Sequence, residues 1–152
     1  MKQLLALLLF FITSSIAVTA QTVEAQPPSG TATSSTDAPV REATEKLVAK
    51  YTLNADQAKQ MYAIQQRKQR NLGEITPLQT SNYTLYLSKL ESLQRGTLAS
   101  IRRILRTKEQ IELYQSTQRD VRVQRAEKRK ELAQKSTSKE ETQAALLGIY
   151  AE

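Results

Sequence analysis

Side chains able to do covalent or acid–base chemistry are scarce in this chain of 152 residues. It has no histidine and no cysteine, which removes the usual base and nucleophile of enzymes working near neutral pH. After the first 20 residues the aspartates are Asp37, Asp56 and Asp120, well separated. The glutamates read as helix-surface charges, with Glu91–Arg95 and Glu131–Lys135 at the i,i+4 spacing of ordinary stabilising pairs. No glycine-rich phosphate loop occurs. Glu140-Glu141 is the only adjacent acidic pair, and a hard-cation site needs several converging oxygens. The expectation is a non-enzymatic protein without a metal site or cofactor.

What the chain offers instead is positive charge, a net +7 at pH 7. Arg67, Lys68 and Arg70 fall near the end of one predicted helix, and Arg102, Arg103 and Arg106 in the last turns of the next. Cations there complement the helix macrodipole by about 0.3–1 kcal/mol each. The same residues can form a patch that draws acidic or partly unfolded partners. Lys68 also falls on an apolar stripe, where its aliphatic stem alone would contribute. Arg119, Arg122, Arg125, Lys128, Arg129 and Lys130 are denser. A spacing of three drifts about 60° per step around a helix, so they form an oblique belt. The belt reads either as a solvated face tempered by Asp120, Glu127 and Glu131, or as a surface for an acidic partner or anionic lipid headgroups. No aromatic residues interleave with it to stack bases, and the chain is built for export, so nucleic acid is not an expected partner.

The signs of export lie at the start. Met1-Lys2-Gln3 is a short positive segment, Leu4–Ile12 is apolar, and Val18 and Ala20 fit the small-residue cleavage pattern. Residues 1–20 thus read as a cleaved signal peptide, too short to anchor. Residues 21–39, with Gln26-Pro27-Pro28-Ser29-Gly30, read as a disordered tether that buries too little to offset its ordering entropy.

Residues 40–152 read as an all-α domain of four or five helices, since no strand-like alternation persists. The first spans about Arg41–Tyr51. The second starts after Leu53, with Asn54 as N-cap answered by Gln57, and its stripe is Met61, Ile64, Lys68, Leu72 and Ile75. The third starts with Thr76 as N-cap, Pro77 at N1 and Gln79 at N3. Its stripe runs Tyr83, Tyr86, Leu90, Leu93, Thr97, Ile101 and Ile104, and Gly96 interrupts it for close packing or a bend. The fourth starts at Thr107 with Gln110 at N3 and runs through Ile111, Tyr114 and Val121 toward Leu132. A last, loosely attached segment within 136–152 opens on Ser138-x-x-Glu141 and carries Leu146, Leu147, Ile149 and Tyr150. That apolar tip is a docked helix end, a dimer contact or a flexible lure. Without large aromatics for a thick core, long thin antiparallel helices that share a core with a second copy fit the composition.

Leu53-Asn54-Ala55-Asp56-Gln57 resembles the LTxxQ motif of the Spy and CpxP family of periplasmic helical proteins. Ile104-Leu105-Arg106-Thr107-Lys108-Glu109-Gln110, followed by Tyr114, is similar to that family's second copy. The first copy has Asn54 in place of the family's Thr, and the second has Arg106 before its Thr. The resemblance spans roughly residues 41–135. It implies a homodimeric cradle with a basic, partly apolar concave face. It further implies a periplasmic ATP-independent chaperone, or an envelope-stress accessory protein, that binds unfolded or partner proteins. Metal-binding relatives use histidines, which are absent here. The alternative is a helical interaction protein that binds one envelope partner or an anionic membrane surface through the belt.

Overall fold

The computed structural model describes residues 37–152, and these residues are all-α. The expected signal peptide, residues 1–20, and residues 21–36 of the expected tether lie outside the described residues. The helices are α1 (Asp37–Tyr51), α2 (Ala55–Ile75), the single turn α3 (Leu78–Ser81), α4 (Tyr83–Ile104), α5 (Lys108–Gln134) and α6 (Lys139–Gly148).

Helix α1 starts earlier than expected, inside the residues assigned to the tether. Asp37 lies in its first turn, where a carboxylate favours the positive end of the helix dipole. Its Oδ1 also accepts from the Tyr62 hydroxyl of α2 at 2.6 Å. Pro39 falls in the first turn, where its missing N–H costs nothing, and Val40 is buried. Helix α1 ends on Thr52, which holds φ 49°. There Leu53 N–H donates to Val48 O at 3.0 Å, the six-to-one bond that closes a helix through a left-handed residue.

The second expected helix stands as drawn, but the third does not start at Thr76. Thr76 keeps helical angles (φ −53°, ψ −41°) as the C-cap of α2, and its hydroxyl donates back to Leu72 O at 2.7 Å. A Thr bonded to the carbonyl four residues back has no oxygen turned to the following N–H groups. Gln79 therefore closes no capping box, and Pro77 opens only the turn α3. The long helix starts one turn later, where Asn82 Oδ1 accepts from Leu85 N–H at 3.0 Å.

The core gathers Leu47 and Tyr51 from α1, Met61 and Ile64 from α2, and Ile101, Ile104 and Leu105 from the end of α4. Leu53, Ile111 and Tyr114 close its edge. The predicted α4 stripe is buried in this half but not at its start, where Tyr83 is 41% exposed and stacks on Tyr86 with ring centroids 6.1 Å apart. Helix α2 packs between α1 and α4, while α6 packs against both α4 and α5. The last segment is thus docked rather than loose. Among the described residues no helix is long and apolar enough to cross a membrane.

Two core details diverge from the needs of tight packing. A Cβ placed on Gly96 would meet no atom within 4 Å, so close packing does not account for this glycine. The Tyr51 hydroxyl is buried without a hydrogen-bond partner at bonding geometry. Burial pushes it up to about 12, a rise that nearby Thr117 tempers. Gly96→Ala is expected to raise stability by about 1 kcal/mol, and Tyr51→Phe to be neutral or stabilising by about 1 kcal/mol. Urea-unfolding midpoints check both; a loss in either would mean the site does more than its contacts indicate.

Candidate functional site

The two capping glutamines predicted from sequence do more than cap. Gln57 Oε1 accepts from Asn54 N–H at 3.1 Å, and Asn54 Oδ1 accepts from Gln57 N–H at 2.9 Å. Gln110 Oε1 accepts from Thr107 N–H at 3.3 Å and from Arg106 N–H at 3.0 Å, while Thr107 Oγ1 accepts from Gln110 N–H at 3.2 Å. The two amides also bond each other: Gln57 Nε2 donates to Gln110 Oε1 at 2.9 Å and Gln110 Nε2 to Gln57 Oε1 at 3.2 Å. The remaining donors reach Ile104 O at 2.7 Å and Thr52 O at 3.4 Å. Both side chains are buried, at 2% and 6% exposure. Every polar atom of the pair is engaged, so this junction holds structure together and offers nothing to a ligand.

The basic residues divide over several faces. Arg67 is exposed and donates to Ser100 Oγ at 2.8 Å; Arg70 is exposed. Lys68 is half-buried and pairs with Glu152. Arg102 and Arg103 join Arg125 and Arg95 around a groove of about 600 Å³ between α4 and α5, with Glu91 and Gln94 also on its wall. Leu98, Ala99 and Tyr114 form its apolar floor. The Tyr114 hydroxyl donates to Leu98 O at 3.2 Å, and burial raises its pKa against the pull of Arg102. Arg106 is exposed beside Thr107, outside this groove. Arg122 and Arg129 are exposed outside this groove, and Arg129, one turn after Arg125 on α5, lines a second cavity of about 340 Å³ with it.

Arg95 escaped the sequence reading because its spacing from Glu91 pointed to an ion pair. In the structure the two form none; Glu91 instead accepts from Gln143 Nε2 of α6 at 3.2 Å. The signal that could have found it is the set Arg95, Leu98 and Arg102, which share one helix face. The Glu131–Lys135 pair does form, at 2.6 Å, and Lys128 adds a second contact at 2.8 Å. Bonds and charge from these two lysines hold the exposed Glu131 carboxyl down at about 2. The belt is thereby partly neutralised at its far end. Among the described residues no group of three His, Cys, Asp or Glu side chains is placed to hold a metal ion.

The end of α6 and the residues beyond it form the remaining polar contacts of note. Arg125 Nε donates to Ile149 O at 2.9 Å, Gln118 Nε2 to Ala151 O at 3.0 Å, and Gln94 Nε2 to Leu147 O at 3.0 Å. Gln65 Nε2 and Lys68 Nζ both donate to the Glu152 carboxylate, and Lys50 Nζ to the Glu152 main-chain oxygen. Burial lowers the Lys50 pKa, and the Glu152 charge opposes that shift.

Compared with family models, curated proteins and solved structures, the chain matches none. Its all-α class follows from its own helices.

Gln57→Ala and Gln110→Ala are each expected to lower stability by about 2–3 kcal/mol, through a lost cap and orphaned buried partners. The double variant is expected to lose at least about 1 kcal/mol less than the sum of the two, read by urea unfolding. Strict additivity would show that the amides do not act as a unit.

Proposed function

We propose that this chain is a non-enzymatic, exported binding protein of the Spy and CpxP type, an ATP-independent chaperone or envelope-stress accessory protein acting in the periplasm. The observation that carries the reading is the groove between α4 and α5, where Arg95, Arg102, Arg103 and Arg125 outnumber the single carboxylate Glu91 around Leu98, Ala99 and Tyr114. A partly unfolded protein presents apolar side chains among acidic ones. An apolar floor takes the former, and the arginines attract the latter over a distance set by salt. The Asn54–Gln57 and Thr107–Gln110 boxes support the family resemblance, and the leader supports export. A homodimeric cradle, in which two thin subunits share a concave face, belongs to the same proposal.

A second reading has its own support. Arg119, Arg122, Arg129 and Lys130 are exposed and form no ion pair among the described residues. They suit a single envelope partner or an anionic membrane surface.

Light scattering of an aggregating unfolded client separates the two. At equimolar protein and low salt, suppression is expected. It should weaken in high salt, since exposed charges are screened within about 8–10 Å at ordinary ionic strength. Arg102→Glu with Arg103→Glu should remove most of it. Unchanged aggregation at either salt would reject the holding function and favour the dedicated partner.

A further inference from the structure

Residues 147–152 lie on side-chain donors from four helices. Gln94 of α4, Arg125 of α5 and Gln118 of α5 each bond one main-chain carbonyl, those of Leu147, Ile149 and Ala151. The Leu147 carbonyl ends α6 and the other two lie in the segment beyond it, so Gln94 ties down the helix end while Arg125 and Gln118 read backbone rather than side-chain identity. Two features then add selectivity. The Tyr150 ring lies under Lys68 Nζ, 5.3 Å from the ring centroid. The Glu152 carboxylate, only 10% exposed, takes bonds from Gln65, Lys68 and the Tyr150 hydroxyl. The arrangement has the parts of a peptide-binding cleft: backbone donors, a cation over an aromatic ring, and a lysine with a glutamine for a carboxylate.

We propose that this cleft is a binding site for non-helical segments of partner proteins with an aromatic residue two positions before an acidic one, and that residues 149–152 occupy it in cis. The cleft deepens the holding function above and rests on it: the same chain segment that fills the cleft sets which partner segments enter. Charge complementarity fixes the occupant. Lys50, Lys68 and Arg125 converge on the segment, and its one charged side chain is Glu152. A basic or all-apolar segment would leave Lys68 half-buried without its counter-charge. Because the cis segment is held at high effective concentration, a partner must displace it, and free partners of low affinity stay out.

The experiment uses the full chain and a labelled peptide of sequence Gly-Ile-Tyr-Ala-Glu, read by fluorescence anisotropy. The variant Tyr150→Ala with Glu152→Lys removes the ring under Lys68 and reverses the charge that pairs with it, and leaves α6 in place. It is expected to bind the peptide at least tenfold more tightly than the unaltered chain. Adding Lys68→Gln to that variant should cost at least tenfold, as should replacing Tyr by Ala and Glu by Gln in the peptide. Circular dichroism melts confirm that each variant is folded. Equal binding by the unaltered chain and the tail variant, no binding by the tail variant, or indifference to Lys68→Gln overturns the proposal. So does a dimer of the unaltered chain that the tail substitutions dissolve, which would place a second copy's segment in the cleft. Client suppression by the unaltered chain is measured in parallel. Suppression without peptide binding sinks the cleft alone; peptide binding without suppression sinks the holding function alone.

Discussion

The paired amides of Gln57 and Gln110 are the constraint on which the rest of the molecule depends. Each glutamine completes a capping box at the start of its own helix, and together they spend their remaining capacity on one another, on Ile104 O and on Thr52 O. Four chain segments therefore meet at one point: the end of α1, the start of α2, the end of α4 and the start of α5. A buried amide left unpaired costs about 1–3 kcal/mol, so each segment is held by the penalty of leaving. The apolar cluster of Tyr51, Met61, Ile101 and Ile104 sits beside this point and excludes water from it. The polar junction sets the register that the apolar contacts then fill.

From that point α4 and α5 run apart, and what fills the space between them determines the surface. Helix α6 occupies part of the gap, against both. The arginines of α4 and α5 line the rest over an apolar floor. Arg125 belongs to both regions, since it lines the groove and donates to Ile149 O. The positive charge is thus not spread evenly. It is partly quenched where Glu131 sits between Lys128 and Lys135 and where Glu152 meets Lys68, while Arg102, Arg103 and Arg122 form no ion pair among the described residues.

What could be read from sequence follows from locality. Asn54, Thr107 and Ser138 were legible as caps because a capping box closes within four residues. Thr76 carried the same pattern and failed, because its hydroxyl had a competing local acceptor in Leu72 O. Asn82, the true start of α4, lacked an answering Gln or Glu and went unnoticed. The pairing of Gln57 with Gln110 needs two motifs to meet across half the domain, which no local pattern encodes. The α4 stripe was legible from Leu87 to Ile104, where neighbours cover it, and misleading at Tyr83, which stays exposed beside Tyr86. Arg95 was visible as a charge, but its place in a groove depends on the angle at which α5 leaves.

The glutamine junction also bears on the order in which the chain can fold. Gln57 and Gln110 are 53 residues apart, and closing a loop of that length carries an entropic cost before any contact rewards it. The hairpin of α2 and α4 removes most of that cost. Once it forms, Ile104 O already lies beside Gln57, and only the short loop Leu105–Thr107 separates Gln110 from its partner. The amide pair is then a late event that locks an arrangement made by helix packing. A chain synthesised from its N-terminus would have α1, α2 and α4 collapsed and waiting for the loop that seals them.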